Sequence, residues 1–472
     1  MKVIRIEIST REKDESILFE QSTENKNQYT AEKNQITIEV ETDAETGGRR
    51  SRILICNPNY EEYQQEILGL FENKYEELQR TQQENYESGF ENIEEEEEAT
   101  IKSPYNPNLI TVAPAKFSLK EIVGMIDGEE GEEPDLDLAP DFQRDYVWDN
   151  TRKSRLIESI LLNIPLPVFY LARDKNGKIQ VVDGVQRLTT IYKFFKNEFK
   201  LNHLEYLEEE CGGRYFKKNN VSDDKNLQPK LVRALRQYQI DCNIIEPSTP
   251  ENVKLDIFKR LNTGGKSLNK QEVRHAFMKK EIRDFVRELV AAPEFECATD
   301  RSINDKRMMA QELVLRYIGF YSLYIDGFMQ ADYSTKMDEF LDNVAVTLNC
   351  CKKIPYNDIR EHFRKAMINA CIMFDSRAFR KIEITKEGKI SEKKNPINKS
   401  LFIAFAVLLS GYTSETVEKK GNVSKEFAEY LREDGEFYYS ISHNTNYQLR
   451  ETAIIKVQRF LTELYGEGEI HA

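Results

Sequence analysis

Isoleucines alternate with polar residues at Ile4, Ile6 and Ile8 and again at Ile36, Ile38 and Val40, and Ile53 with Ile55 suggests a further strand. A period of two places such side chains on one face of half-buried strands. From Asn59 to about Gln83 the period becomes helical, with Tyr60, Tyr63, Ile67, Leu70 and Phe71 on one face of a charged segment. Ser118 and Glu121 have capping-box spacing, so a helix is expected to start at Ser118. Asp149 or Asn150 opens another, whose apolar face is Leu156, Ile157, Ile160, Leu161 and Ile164 and which Pro165 and Pro167 end. Val168 to Leu171 reads as a buried strand, Asp174 to Gly177 as a turn and Lys178 to Val182 as the returning strand. Leu188, Ile191, Tyr192, Phe194 and Phe195 then recur at helical spacing. Past Glu251 helices are expected over about 303–324, 336–351, 358–374, 398–409 and 447–464. The most apolar window, Leu401 to Leu409, falls short of the ~20 residues a bilayer requires and is read as a buried helix.

These patterns divide the chain into a strand-and-helix extension (1–83), an acidic linker (84–99), an α/β part (100–250) and a helical part (251–472). The fold class is α+β. The run Glu94 to Glu98 repels itself and stays solvated, which favours a flexible linker over a mimic of nucleic acid.

Charge narrows the partners. The 472 residues carry a formal net charge of −14, which disfavours indiscriminate binding to a polyanion. A local basic stretch remains, in which Arg214, Lys217, Lys218, Lys225, Lys230, Arg233 and Arg236 surround Tyr215 and Phe216. Positive charge beside aromatic rings suits a sugar-phosphate backbone, and a solvated helix and loop is the plainer account. The seven cysteines are scattered without a Cys-x-x-Cys pair, no residue set reads as a metal site, and the start lacks a signal peptide's apolar core. A cytoplasmic protein with reduced thiols and no membrane partner is expected.

Candidate chemistry concentrates at Asp183-Gly-Val-Gln-Arg187, where a strand runs into a helix. Unpaired amides and the positive end of the helix dipole suit an anion there, and Gly184 lets backbone approach a ligand. Arg187 opposes the dipole, so it needs Asp183, another carboxylate or a bound phosphate as partner. Asp183 and Gln186 also fit a capping box that needs no ligand. A second candidate is Asn262-Thr-Gly-Gly265 followed by Lys266-Ser267. It ends like a Walker A loop, but Arg260 stands where that loop needs glycine. A phosphate nest is one reading. The other is a helix terminus followed by a helix capped by Asn269 and Glu272.

Four ordered blocks carry a resemblance: Arg144-x-Tyr-Val-Trp148, Ile164-Pro-Leu-Pro167, Asp183-Gly-x-Gln-Arg187 with Leu188-Thr-Thr190, and Phe258-x-Arg-x-Asn-Thr-Gly-Gly265. Over about Phe117 to Phe277 the chain resembles the N-terminal domain of GmrSD-type restriction enzymes, a family of ParB/sulfiredoxin-like domains. That family's Asp-Gly-Gln-Gln-Arg motif is altered here, with Val185 at the first glutamine. The resemblance implies a ParB-like α/β core and nucleotide binding and hydrolysis in anti-phage restriction, with a nucleoside triphosphate and Mg²⁺ as cofactor. It implies that Asp183, Gln186 and Arg187 are the catalytic set. It also implies that Gly184, Gln143, Arg144, Arg260, Asn262 and Gly264 bind the nucleotide. On the same resemblance Asp183 would hold the metal or orient water. DNA is a further expected partner, with Arg214, Lys217, Lys218 and Arg233 of the basic stretch as its contacts. Relatives often add a His-Asn-His nuclease domain. Among the five histidines only His443-Asn444 approaches that motif, so an effector in trans is expected. The alternative to an enzyme is a ParB-like DNA sensor without turnover.

Overall fold

The structure, a computed structural model, describes residues 3–9, 14–22, 25–42, 49–87, 89–91, 109–128, 134–138, 148–219, 222–261, 269–329, 336–385, 387–443 and 447–470. It is α+β, with a β-rich N-terminal part, a central mixed sheet and a helical C-terminal part.

The isoleucine pattern becomes an antiparallel sheet in sequential order: β1 (Val3–Ser9), β2 (Asp14–Gln21), β3 (Gln28–Ala31), β4 (Ile36–Thr42) and β5 (Arg49–Ile55). Strands β2 and β3 had no clear period-two signal. Helix α1 (Gln64–Glu87) covers one face. There Phe71 meets Phe19 and Tyr29 edge-on, at 5.2 and 5.4 Å between ring centroids. The α-helix starts later than Asn59 because Pro58–Tyr63 forms a 3₁₀ segment, capped by the Asn57 side chain at the Asn59 amide.

The expected linker is corrected at its near end. Helix α1 runs through Glu87, and Gly89-Phe90-Glu91 docks on the helical part. Phe90 is 1% exposed, the Glu91 amide donates to the Ile397 carbonyl, and the Glu91 carboxylate pairs with Lys381 and accepts from Asn398. An aromatic among glutamates gains more by burial than the segment's charge gains by staying solvated. The run Glu94 to Glu98 lies outside the described residues.

The central sheet has the order β6-β10-β8-β9-β7. It contains β6 (Val112–Ser118), β7 (Leu136–Asp137), β8 (Phe169–Arg173), β9 (Ile179–Asp183) and β10 (Gln239–Ile245). Strand β10 runs antiparallel to β6 and parallel to β8, β9 is antiparallel to β8, and β7 is parallel to β9. Between the strands lie α2 (Leu119–Asp127), α3 (Asn150–Leu161), α4 (Val185–Phe195), α5 (Glu208–Cys211) and α6 (Pro229–Gln237). The capping box at Ser118 and Glu121 forms, and Asp149 caps α3. Leu171, Val181 and Ile244 face the core beneath these helices, whereas Ala172, Val182 and Ile245 face the helical part. Burial on both faces explains why these strands read as continuous apolar runs.

The helical part comprises α7 (Glu251–Leu261), α8 (Lys270–Phe277), α9 (Lys280–Val290), α10 (Pro293–Ala298), α11 (Met309–Tyr321), α12 (Met337–Cys350) and α13 (Tyr356–Phe374). It continues with α14 (Lys399–Leu408), α15 (Ser414–Lys420), α16 (Ser424–Glu433), α17 (Gly435–Ser442) and α18 (Tyr447–Tyr465). Every residue of α14 is buried, the expected apolar window from Leu401 onward together with the Lys399 and Ser400 that precede it. No single helix among the described residues is long and apolar enough to cross a membrane.

Candidate functional site at the end of strand β9

The β8–β9 hairpin sets the site. Asp174 Oδ1 accepts from the amides of Asn176 and Lys178, at 2.8 and 2.9 Å, and Gly177 takes φ +89° to close the turn. Strand β9 then ends at Asp183, opposite Tyr170. Gly184 adopts φ +100° and serves as the N-cap of α4. A side chain there would fail twice, since a Cβ would lie 2.4 Å from the Phe169 ring.

This geometry decides between the two local readings of the motif. Asp183 and Gln186 do not form a capping box. The left-handed Gly184 turns the chain into the helix one residue later, and no side chain caps α4. Asp183 is left as the last strand residue and pairs with Arg187 instead, Oδ2 to Nη2 at 2.9 Å. The Arg187 guanidinium also donates to the carbonyls of Pro167 and Val168, and it lies 4.2 Å from the centroid of the Phe169 ring. Its side chain is 13% exposed, against 37% for Asp183. Burial pulls Arg187 below the usual arginine pKa while Asp183 opposes the shift, and the group stays charged. The buried Cys242 thiol near it is pushed up to about 11 by desolvation, which makes it a poor nucleophile. The loop supplying the carbonyls keeps Leu162, Ile164 and Val168 exposed, a rim that the assignment of Ile164 to the buried face of α3 missed.

The other expected residues are placed as follows. Gln186 is the second residue of α4, and its carbonyl accepts from the Thr190 hydroxyl. Arg260 lies on α7, which packs beside β9, but its guanidinium is largely exposed and pairs with Asp256. No contact among the described residues joins Arg260 to Asp183 or Arg187. Gln143, Arg144, Asn262 and Gly264 lie outside the described residues. Asn269 and Glu272 do form the capping box expected to open α8. Among the described residues no group of three or more His, Cys, Asp or Glu could hold a metal ion. His443 stacks on Tyr439, 4.3 Å between centroids, and Asn444 is outside the described residues.

The basic stretch forms a loop and the exposed face of α6. Lys217, Lys218, Lys225 and Arg233 are exposed and form no ion pair among the described residues, and Arg214 is half-buried. Lys218 Nζ sits 4.4 Å from the Tyr215 centroid. Phe216 departs from the expectation of an available stacking ring. It is buried, 4.3 Å from Phe195, because the apolar face beneath α4 and α6 needs it.

Sequence reasoning missed a second polar concentration, on α8. Arg274 is fully buried between Asp338 and Asp342 of α12, at 2.7 and 3.0 Å. These carboxylates also take Lys270 and Lys259, which flank the 262–268 segment. Beside Arg274, His275 is fully buried and neither ring nitrogen makes a hydrogen bond of good geometry. Its pKa falls to about 3 through burial and the Arg283 and Arg287 guanidiniums, with Gln311 opposing. Acidic partners more than 60 residues away are the only sequence signal for this arrangement.

Residues 119–279 match the family model described as GmrSD restriction endonuclease, N-terminal domain. That span holds α2 to α8, including the whole β8–β9–α4 unit. No curated protein and no solved structure matches the chain.

Proposed function

We propose that this chain, whose residues 119–279 carry a GmrSD-type N-terminal domain, is the nucleotide-binding and nucleotide-hydrolysing component of a restriction-like defence system. One observation carries the reading. An uncapped helix N-terminus with a left-handed glycine adjoins an arginine that protein carbonyls and a ring already hold in place. A helix end of this kind favours an anion, and a pre-held guanidinium binds phosphate with little ordering cost. Asp183 is the open side of its pair with Arg187. With a triphosphate on Arg187, Asp183 would be the residue to hold a magnesium ion, which would neutralise phosphate charge. Mg²⁺ commonly uses one or two carboxylates plus phosphate oxygens, and Asp183 fits that role. In this reading Gln186 orients the water that attacks the terminal phosphorus. The bond to the bridging oxygen breaks, and a nucleoside diphosphate and inorganic phosphate leave.

The test is binding and phosphate release by the purified full chain with each nucleoside triphosphate and Mg²⁺. Arg187→Ala should abolish both, and Arg187→Lys should recover part of the binding. Gln186→Ala should lower turnover while leaving affinity within about threefold. Failure of every triphosphate to bind at 1 mM, roughly −4 kcal/mol, overturns the reading.

A second reading rests on the basic face around Lys217, Lys218 and Arg233, which form no ion pair among the described residues, with Lys218 over Tyr215. There the chain is a DNA sensor without turnover that recruits an effector in trans. DNA binding with a steep salt dependence and no phosphate release would favour it.

A further inference from the structure

Cys297 and Cys371 are distant in sequence and adjacent in space. Cys297 lies on α10 and is exposed, and Cys371 lies on α13 and is half-buried. Their Sγ atoms are 2.7 Å apart. A disulfide bond is about 2.05 Å long, so closing one requires a movement of roughly 0.7 Å. Two neighbouring contacts fix α10 on α13 and so hold the sulfurs together. Phe295 stacks on Phe363, 5.8 Å between centroids, and Glu294 pairs with Arg364 at 2.6 Å. None of the other five cysteines has a cysteine partner among the described residues.

We propose that Cys297 and Cys371 are a redox modification site, a dithiol that a peroxide converts reversibly to an intramolecular disulfide. The exposed Cys297 reacts first. Its thiolate attacks one peroxide oxygen, the O–O bond breaks, and hydroxide leaves and is protonated to water. Cys297 is then a sulfenic acid. The Cys371 sulfur attacks the Cys297 sulfur, the S–O bond breaks, and a second water leaves as the disulfide forms. Two thiols give up two electrons in all, and one peroxide is reduced to two waters. Burial and the adjacent Cys297 push the Cys371 thiol well above its ordinary value, which suits the resolving sulfur better than the first nucleophile. The product ties α10 to α13 and closes a long chain loop, which restricts the unfolded ensemble.

The experiment treats the reduced full chain with hydrogen peroxide, alkylates it under denaturing conditions, counts free thiols and maps peptides by mass. The expected result is loss of two of the seven thiols. It also includes a Cys297–Cys371 linked peptide, reversal by dithiothreitol, and a thermal midpoint several degrees above the reduced form. Cys297→Ser and Cys371→Ser should each abolish the linked peptide and the thermal shift. Peptide mapping of the unsubstituted chain decides the matter even where a variant folds poorly. Thiol loss spread over the other cysteines, a link to the exposed Cys350, or over-oxidation of Cys297 with Cys371 still reduced would overturn the proposal.

Discussion

Asp137 of β7 and Arg283 of α9 form an ion pair that fastens the edge of the central sheet to the helical part. Arg283 is 1% exposed, and its Nη1 also donates to the Met278 carbonyl at 2.9 Å. From the neighbouring strand β9, the Gln180 amide reaches the carbonyls of Ala276 and Met278 at the end of α8. The strand that carries Asp183 is therefore pinned to the helices by polar groups as well as by Val182. Asp137→Ala leaves a buried guanidinium without its carboxylate and should cost about 3 kcal/mol. Arg283→Met, which removes the buried charge, should cost less. Urea denaturation of both variants checks the order, and an equal or reversed order would contradict the arrangement.

Gly184→Ala tests the turn itself. Alanine at φ +100° pays the left-handed penalty, and its Cβ must displace the Phe169 ring on which Arg187 rests. The two effects together should cost about 3 kcal/mol. Thermal unfolding measures the cost, and triphosphate binding should fall with it because Arg187 loses its platform. Phe169→Leu relieves the clash but not the left-handed penalty, so the double variant should recover part of the stability and none of the binding.

His275 makes stability depend on pH. Its folded pKa, about 3, lies below the ordinary value near 6.5, so the unfolded chain takes up a proton over that interval and the folded chain does not. Stability is therefore full above about pH 6.5 and declines as the pH falls toward 3, by up to about 1.4 kcal/mol per pH unit from this group. His275→Gln should flatten the profile between pH 6.5 and 4.5, measured as the urea midpoint against pH. An unchanged slope would show that other groups dominate.

Local signals were readable where the partner lies within a few residues. Ser118 with Glu121 and Asn269 with Glu272 form the capping boxes their spacing indicates. The same rule failed at Asp183 and Gln186, because spacing alone does not reveal that Gly184 takes the left-handed turn and shifts the N-cap. Arg187 needed an anionic partner on electrostatic grounds, and Asp183 proved to be it. The carbonyls of Pro167 and Val168 were beyond reach, since they arrive through the pairing of β8 with β9. What buries Arg274 and His275 comes from α9, α11 and α12, which local spacing on α8 does not reveal. Phe216 looked like a stacking platform because its neighbours are basic, whereas Phe195 claims it for the core.

Phe90 offers the sharpest test of how the N-terminal part is held. It sits in the core of the helical part, with Lys399 Nζ 5.4 Å from its ring, and that amine pairs with the buried Glu312. Phe90→Ala removes a buried ring and opens a cavity beside that ion pair, a loss of about 3 kcal/mol or more of docking energy. Glu91→Gln keeps the shape and removes one charge from a Lys381 that Ser442 also holds, so it should cost about 1 kcal/mol. Limited proteolysis reads the difference directly. Cleavage near residue 90 should accelerate at least about tenfold in Phe90→Ala and only about fivefold or less in Glu91→Gln, with the far-ultraviolet circular dichroism of both unchanged. Protection that survives Phe90→Ala would mean that β1 to α1 are held elsewhere, and the aromatic would then be filling space without anchoring the segment.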